Sequence, residues 1–589
     1  MFMRKIYIVL LMAISCCTTA MAQESEKVEQ ILSSMNLRRK VAQLFVPAVD
    51  PHIGDKARRE LQISYAREGV GGMIVMDGNL VPFMQTLNEL QTYARIPMLI
   101  AIDGEWGVSM RFPEFPYYPR QMQLGALKTP ELVYRMGRLV GQEMKACHIG
   151  VNYAPDIDVN CNALNPVINT RSFGENQDKV GQFGLAYAKG MQDEGVSACA
   201  KHFPGHGDTS VDSHRALPVL EFTRERLDSL ELAPFRILSE GGVDMVMLAH
   251  LSVPALDPSG TPTSVSKPAI DYLRDSIGYK GLIVTDALGM AGVMGYFHNN
   301  GPQTCLAAYK AGVDVLLMPK DVHKCIDLIV SKIRCGELSE SDLDNRVRKV
   351  LAQKERQGLL ADDYVKSVDV DEVLSYSANQ QERDFIAELS AKTIVCVKDA
   401  AEPALSGKVA YLALGAGEEK RVHTMDEDPN RPVGGDGPAA YGARRGVGKS
   451  GAETLAGILG CDSFFLPRPF TFEQVIEMRD KLAGYDHVII GFHDTDTRPQ
   501  NHYGIDDDLY AFVGDWAQEQ SLTGVYCGSP YALDLMPWYR HFRAFYIAWA
   551  DNVYNCSAAG EIIIGKRKAE GVMPVTAGGL SAGNSGNLR

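Results

Sequence analysis

Between about residues 30 and 360 the chain alternates short apolar runs with longer amphipathic stretches. The runs fall at 41–46, 72–76, 97–102, 151–154, 196–200, 245–249, 282–285 and 315–318. They are unbroken rather than alternating, which suits parallel strands covered on both faces. The stretches between them carry helical signals. In 129–147, Thr129 stands as a cap, Pro130 opens the first turn, and Leu132, Met136, Leu139 and Val140 share one face. Roughly eight such units predict an α/β fold, a (β/α)8 TIM-type barrel. A doubly wound sheet is the rival, because periodicity alone does not close a ring. Polar residues stand directly after the runs: Asp103, Lys201 with His202, His250 and Asp286. At the mouth of a barrel such strand ends converge, whereas along an open sheet they are spread out.

The pattern changes after the barrel. Residues 343–377 are charged and helical, and a second α/β region begins near 380. Its runs at 393–397, 409–414, 487–491, 524–527 and 544–547 predict a smaller αβα sandwich. The expected organisation is a signal peptide at 1–22, a catalytic barrel at 23–360, a connector at 361–385, a sandwich domain at 386–577 and a disordered tail at 578–589. Residues 415–452 are long, polar and glycine-rich, and are expected to form a loop reaching toward the barrel mouth. Within them Ala443–Ser450 loosely fits a phosphate-loop pattern. Its first position is alanine and no strand directly precedes it, so the match is read as chance.

The N-terminus changes the expected address. Arg4 and Lys5 precede an apolar stretch at 6–14, and Ala20-Met21-Ala22 precedes Gln23, which reads as a cleavable export signal. A lipidated Cys16 or Cys17 ranks behind cleavage after Ala22, and the apolar stretch is too short to span a bilayer. The expected location is periplasmic or extracellular. A net charge of −14 with no basic stripe argues against nucleic acid as a partner. The ten cysteines beyond Cys17 are scattered without CxxC pairs, so neither a zinc ribbon nor a disulfide framework is expected. No cofactor and no metal are called for, and the sequence leaves the oligomeric state open.

Candidate chemistry concentrates at 199–218, CAKHFPGHGDTSVDSHRALP, where a buried strand gives way to a loop dense in histidine and aspartate. A second candidate is Asp286 in GLIVTDALGM, with Ala287 and Gly289 leaving room beside it. Two roles suit it: cap of the following helix, or the carboxylate beneath an anomeric carbon that a retaining glycosidase requires. KHFPGHG followed by DSH resembles the β-N-acetylglucosaminidase branch of glycoside hydrolase family 3. MNLRRKVAQLF, VNYAPDIDVN, GVDMVMLAH and GVMPVT are similar to that family as well.

The resemblance implies Asp286 as nucleophile and His214 as proton donor, with Asp212 as its partner. It also implies Asp103, Arg171, Lys201 and His202 as sugar contacts. Histidine titrates near working pH, so it can give a proton and take one back, and a carboxylate on the far ring nitrogen holds its tautomer. Lys201 is seldom explicable as unpaired structure, and Asp103 is its expected partner. His206 and Asp208 are expected to shape the loop. Met290 and Trp106 are expected at the pocket wall, where bulky apolar residues also serve as packing.

The implied function is exo-acting, retaining release of terminal β-linked N-acetylglucosamine from cell-wall fragments or chitin oligomers. The alternatives are a β-glucosidase or β-xylosidase of the same superfamily, a metal-dependent hydrolase built on His202, His206, Asp208 and His214, and a non-catalytic carbohydrate-binding protein.

Overall fold

The computed structural model describes residues 25–49, 55–76, 78–211, 213, 216–377, 379–399, 405, 407–416, 450–493 and 495–585. The expected export signal at 1–22 and residues 417–449 of the glycine-rich segment lie outside them. Among the described residues no helix is long and apolar enough to cross a membrane.

The first part is a closed parallel barrel. Its strands are β1 (Phe45–Val46), β2 (Ala48–Val49), β3 (Gly72–Val75), β4 (Leu99–Ile102), β5 (Val151–Asn152), β6 (Ser197–Phe203), β7 (Met245–Leu248), β8 (Leu282–Thr285) and β9 (Leu316–Leu317). Strands β2 to β8 hydrogen-bond in chain order, all parallel. β1 pairs with β9, and a parallel bridge joins Val284 of β8 to Val315. β1 and β2 are thus two halves of one stave divided at Pro47, whose carbonyl accepts from Ile74 N at 3.0 Å. One half pairs with the last strand and the other with the second. That closure decides for the barrel over the doubly wound sheet. Strands β3, β4, β7 and β8 are buried at every position, as their unbroken apolar runs require.

Two local expectations shift. Val41 and Ala42 belong to a helix, Leu37–Ala42, capped by Asn36 through Arg39 N; an apolar run alone does not separate a helix end from a strand start. The helix over 129–147 forms at Glu131–Ala146 and buries Met136 and Val140, but Leu132 and Leu139 are only half-buried. Its inner face is centred on Val133, Gly137, Gly141 and Met144 and packs on the helix Gln177–Asp193. A Cβ at Gly137 would come 2.4 Å from the Tyr187 carbonyl oxygen, and one at Gly190 would come 2.3 Å from that of Tyr134. Glycines set this close crossing and carry no apolar signal.

The second sheet has the order β10 (Val395–Lys398), β15 (Ala544–Ile547), β14 (Leu522–Tyr526), β13 (His487–Phe492), β11 (Val409–Leu414) and β12 (Asp462–Leu466). β10 is antiparallel to β15 and the other pairs are parallel. β12 is absent from the expected runs; it is an edge strand, mostly half-exposed, so burial did not select an apolar sequence. The described part of the tail, to residue 585, is not free. Met573 N donates to Asn584 O at 2.8 Å, Gly583 N donates to Met573 O at 2.8 Å, and Leu580 is buried. Backbone pairing and one buried leucine hold residues 580–584 despite their polar composition. The two cores meet at Gln123, whose amide donates to Thr393 Oγ1 and to Asn555 Oδ1.

Candidate active site

The site assembles at the carboxyl ends of the barrel strands. β6 runs past the expected end at Ala200 and carries Lys201 and His202 within the strand, with a register shift against β7 between Ala200 and Phe203. Lys201 is fully buried, and its ammonium donates to Asp103 Oδ1 at 3.0 Å and approaches Glu105 Oε1 at 2.8 Å. Arg111 donates to the other Asp103 oxygen at 3.0 Å. The Asp103 side chain keeps 15% exposure and that of Glu105 keeps 1%. Asp103 is therefore the carboxylate that faces the mouth, and Glu105 is the internal counter-charge.

Arg171, in a short 3-10 turn Asn169–Arg171, closes a fork on Glu105 at 2.8–3.2 Å. It also donates to the Val167 carbonyl and to His202 Nε2. Burial by itself would raise the Glu105 carboxyl. The charges of Arg171 and Lys201 outweigh that and hold it well below the usual carboxylate range. Burial likewise disfavours the Lys201 ammonium, and Asp103 and Glu105 more than offset it.

Asp156 and Asp158 form the inner layer, both fully buried. Asp158 pairs with His202 Nδ1 at 2.7 Å and accepts from the backbone N–H of His202 and His206. A guanidinium only donates, so His202 Nε2 accepts from Arg171 and Nδ1 carries the hydrogen given to Asp158. The two carboxyls separate in character. Burial and the neighbouring Asp158 push Asp156 well above its ordinary range, whereas the histidines 202 and 206 overcome burial and hold Asp158 below it. Asp156, Asp158 and His202 have metal-ligand spacing, but Arg171 stands 3.5 Å from Asp156 and His202 is committed to Asp158. The Arg171 guanidinium thus already neutralises part of the cluster. Of the residues weighed for a metal, His206 is buried in hydrogen bonds to Thr209 and Ser213, and Asp208 pairs with Arg226 at 3.4 Å.

On the opposite side of the mouth stands Asp286, half-buried at the end of β8. Its N–H donates to Leu248 O at 2.9 Å, and its Oδ1 accepts from Ala287 N at 2.7 Å. His250, fully buried, donates through Nε2 to the Ala287 carbonyl at 2.9 Å while Nδ1 accepts from Ser264 Oγ at 2.7 Å. The turn carrying Asp286 is thereby pinned from β7. Met290, buried, follows at the cap of the helix Ala291–Tyr296. Trp106 is packing: it is buried beneath Arg120, whose guanidinium lies 4.7 Å from the ring centre.

Asp212, His214 and Arg215 lie outside the described residues, whereas Ser213 and Ala216 lie within them. Ser213 is buried and its Oγ stands 3.0 Å from His206 Nε2. A Cβ added at Gly292 would come 2.7 Å from Ser213 O and 3.1 Å from Ala216 O. The backbone of Ser213 and Ala216 therefore lies close against Gly292 in the helix that follows Asp286. The second sheet's side supports the barrel loop that carries Asp158 and Arg171. The Tyr531 hydroxyl donates to Asn160 O at 3.0 Å, that of Tyr503 donates to Ala163 O at 2.9 Å, and Glu175 accepts from Thr576.

The structure thus brings Asp103, Arg171, Lys201 and His202 into one cluster, with Asp286 and Met290 across the mouth. Sequence reasoning missed Glu105, Asp156, Asp158 and the work of His250. The signal for Glu105 was present: a buried lysine and a buried arginine need more than one carboxylate, and Glu105 is two residues beyond Asp103.

A profile described as glycosyl hydrolase family 3 N terminal domain matches residues 36–353. Beta-hexosaminidase A of Pseudoalteromonas piscicida is 33% identical over 329 residues, covering 50% of this chain and 55% of that protein. A beta-hexosaminidase of Neisseria meningitidis serogroup C (strain 053442) is 34% identical over 265 residues, covering 42% of this chain and 71% of that protein. The chain thus spans about half the length of the first of these relatives. Among solved structures, a glycoside hydrolase family 3 beta-N-acetylglucosaminidase from Paenibacillus sp. str. FPU-7 superposes with a TM-score of 0.75 at 26% identity, over 93% of this chain and 100% of that one.

Proposed function

The chain belongs to glycosyl hydrolase family 3, and from that premise we propose that it is an exo-acting, retaining glycosidase that releases terminal β-linked N-acetylglucosamine. Asp286 attacks the anomeric carbon and forms a glycosyl ester. His214, oriented by Asp212, protonates the departing oxygen and then takes a proton from the water that opens the ester. Atoms balance: one glycosidic bond is exchanged for one ester bond, and the ester is then hydrolysed.

Asp103 grips adjacent hydroxyls, since a carboxylate accepts from two at once, and Lys201 holds it in place. Arg171, His202 and Met290 complete the wall of the sugar pocket. The observation that carries the reading is that Asp286 stands across one mouth from the cluster of Asp103, Arg171 and Lys201. Asp286 sits on a turn braced by Leu248 and His250, and Ser213 and Ala216 close on Gly292 shortly after it. Fragments of the cell wall or chitin oligomers are the proposed substrates, in keeping with the export expected from residues 1–22. The names of the beta-hexosaminidase relatives and of the Paenibacillus structure support the 2-acetamido sugar.

The test is a panel of aryl β-glycosides with and without the 2-acetamido group, the first-formed anomer being read by NMR. Turnover of the N-acetylglucosaminide with β-anomer formed first is expected. An α-anomer first would overturn retention, and turnover confined to glucosides or xylosides would overturn the substrate assignment.

A further inference from the structure

Outside the barrel, three side chains with no part in the proposed chemistry converge at the carboxyl edge of the second sheet. His493 directly follows β13, Cys527 directly follows β14, and Cys556 lies in the first turn of the helix Val553–Ile563. All three are buried. One donor atom from each lies within 4.8 Å of the other two.

We infer that His493, Cys527 and Cys556 bind a zinc ion that staples the ends of β13 and β14 to this helix.

The distance between the thiols is the first argument. Cys527 Sγ and Cys556 Sγ are 3.8 Å apart. A disulfide needs about 2.05 Å, whereas two thiolates at about 2.3 Å from one tetrahedral zinc stand roughly 3.8 Å apart. The second argument is the histidine. Its Nδ1 stands 3.1 Å from Asp551 Oδ1, the carboxylate–imidazole pairing that orients a zinc-bound ring and leaves Nε2 to the metal. Nε2 now faces the Tyr411 hydroxyl at 2.6 Å. An ion taking that lone pair would have the Tyr411 oxygen beside it as a fourth donor. The third argument is space. A Cβ at Gly491 would come 2.4 Å from His493 Nε2 and 2.7 Å from Tyr411 Oη, and one at Gly451 would come 2.7 Å from Cys556 Sγ and 2.2 Å from Asp551 Oδ1. Glycine on two sides keeps the donor cluster clear of side chains. Two thiols and an imidazole select a soft ion such as zinc over magnesium or calcium. Binding releases the two thiol protons to solvent, so uptake is pH-dependent.

The experiment uses the full chain, prepared without a metal-affinity tag, incubated with zinc chloride and stripped of loose metal on chelating resin. One zinc per chain is expected, with an X-ray absorption spectrum showing two sulfur neighbours at about 2.3 Å. The double variant C527S/C556S is expected to lose the zinc while keeping the wild-type circular dichroism. No retained zinc, zinc retained by that variant, a shell of nitrogen and oxygen only, or a Cys527–Cys556 disulfide found by mass spectrometry would each overturn the assignment. A shell without sulfur would point instead to the Asp156, Asp158 and His202 cluster of the barrel. Should the double variant not fold, the wild-type absorption spectrum decides alone. A structural zinc also predicts that a strong chelator lowers Tm by several degrees while the exposed-cysteine variant C335S responds as wild type does.

Discussion

The hydroxyl of Ser213 stands 3.0 Å from Nε2 of His206, and both residues are buried. Through this contact the DSH segment is fastened to the KHFPGHG segment. His206 is fastened in turn to Asp158 by its backbone N–H at 2.6 Å. Ser213 is therefore linked through His206 to the buried Asp158.

Because His206 is fully enclosed, burial lowers its pKa to about 4. The unfolded chain binds this proton near pH 6.5, so between about 6.5 and 4 the unfolded state carries a proton that the native state refuses. Stability is thus complete above this window and is lost as pH falls through it, by about 3 kcal/mol in all. The expected result is a Tm that drops on acidification from pH 7 to pH 4, with a shallower drop in His206→Gln. An identical acid slope in the variant would remove His206 as the cause.

Gly292 bears on function more than on stability. Gly292→Ala puts a methyl 2.7 Å from the Ser213 carbonyl oxygen, so the loop must shift. Activity on N-acetylglucosaminides should fall about tenfold or more, since an ångström of misplacement is enough. Tm should change little. A fully active variant would separate Gly292 from loop placement.

Asp286→Ala should reduce turnover by about 10⁴-fold or more, the scale found when a covalent nucleophile is removed. Calorimetric binding of N-acetylglucosamine should persist, because Asp103 and Lys201 are untouched. Retained turnover in a purified, sequence-verified variant would reject the assignment.

For His214→Ala the informative quantity is a ratio. A dinitrophenyl leaving group needs little protonation, whereas a natural aglycone needs a full proton. The kcat loss should be far smaller on the aryl substrate, and the alkaline limb of the pH profile should disappear. Equal losses on both substrates would argue that His214 binds rather than donates.

Glu105→Gln takes the central counter-charge from Arg171 and Lys201, both buried. Removing one member of a buried ionic cluster costs about 3–5 kcal/mol. Denaturant unfolding should show a loss of that order, with KM raised in any protein that remains folded. A loss below about 1 kcal/mol would mean that Asp103 and Asp156 neutralise the cations without it.

Much of this architecture is legible in the sequence. Strands buried on both faces must be apolar at successive positions, so β3, β4, β7 and β8 announce themselves. Asp103, Lys201, His202 and Asp286 stand out because polar residues directly after such apolar runs have few structural reasons to be there. Where burial did not act on composition, the reading failed. The edge strand β12 is half-exposed, the Glu131–Ala146 crossing rests on glycines, and the tail is held by backbone hydrogen bonds. His250 was visible at a strand end, but its grip on the Ala287 carbonyl depends on a neighbour 37 positions away.

By itself, then, the sequence determined which segments become staves of the barrel and which polar groups ride on their ends. Both follow from local periodicity and from the need of apolar runs to leave water. Only the tertiary structure decided that the ring closes through β1 and β9, that Glu105 joins Asp103 as a partner of the buried cations, and that burial and neighbours push Asp156 and Asp158 in opposite directions. It alone also brought His493, Cys527 and Cys556 together from three separate elements. Each of these is a relation between residues far apart in the chain, set by distance and enclosure, and neither quantity is written in the order of the amino acids.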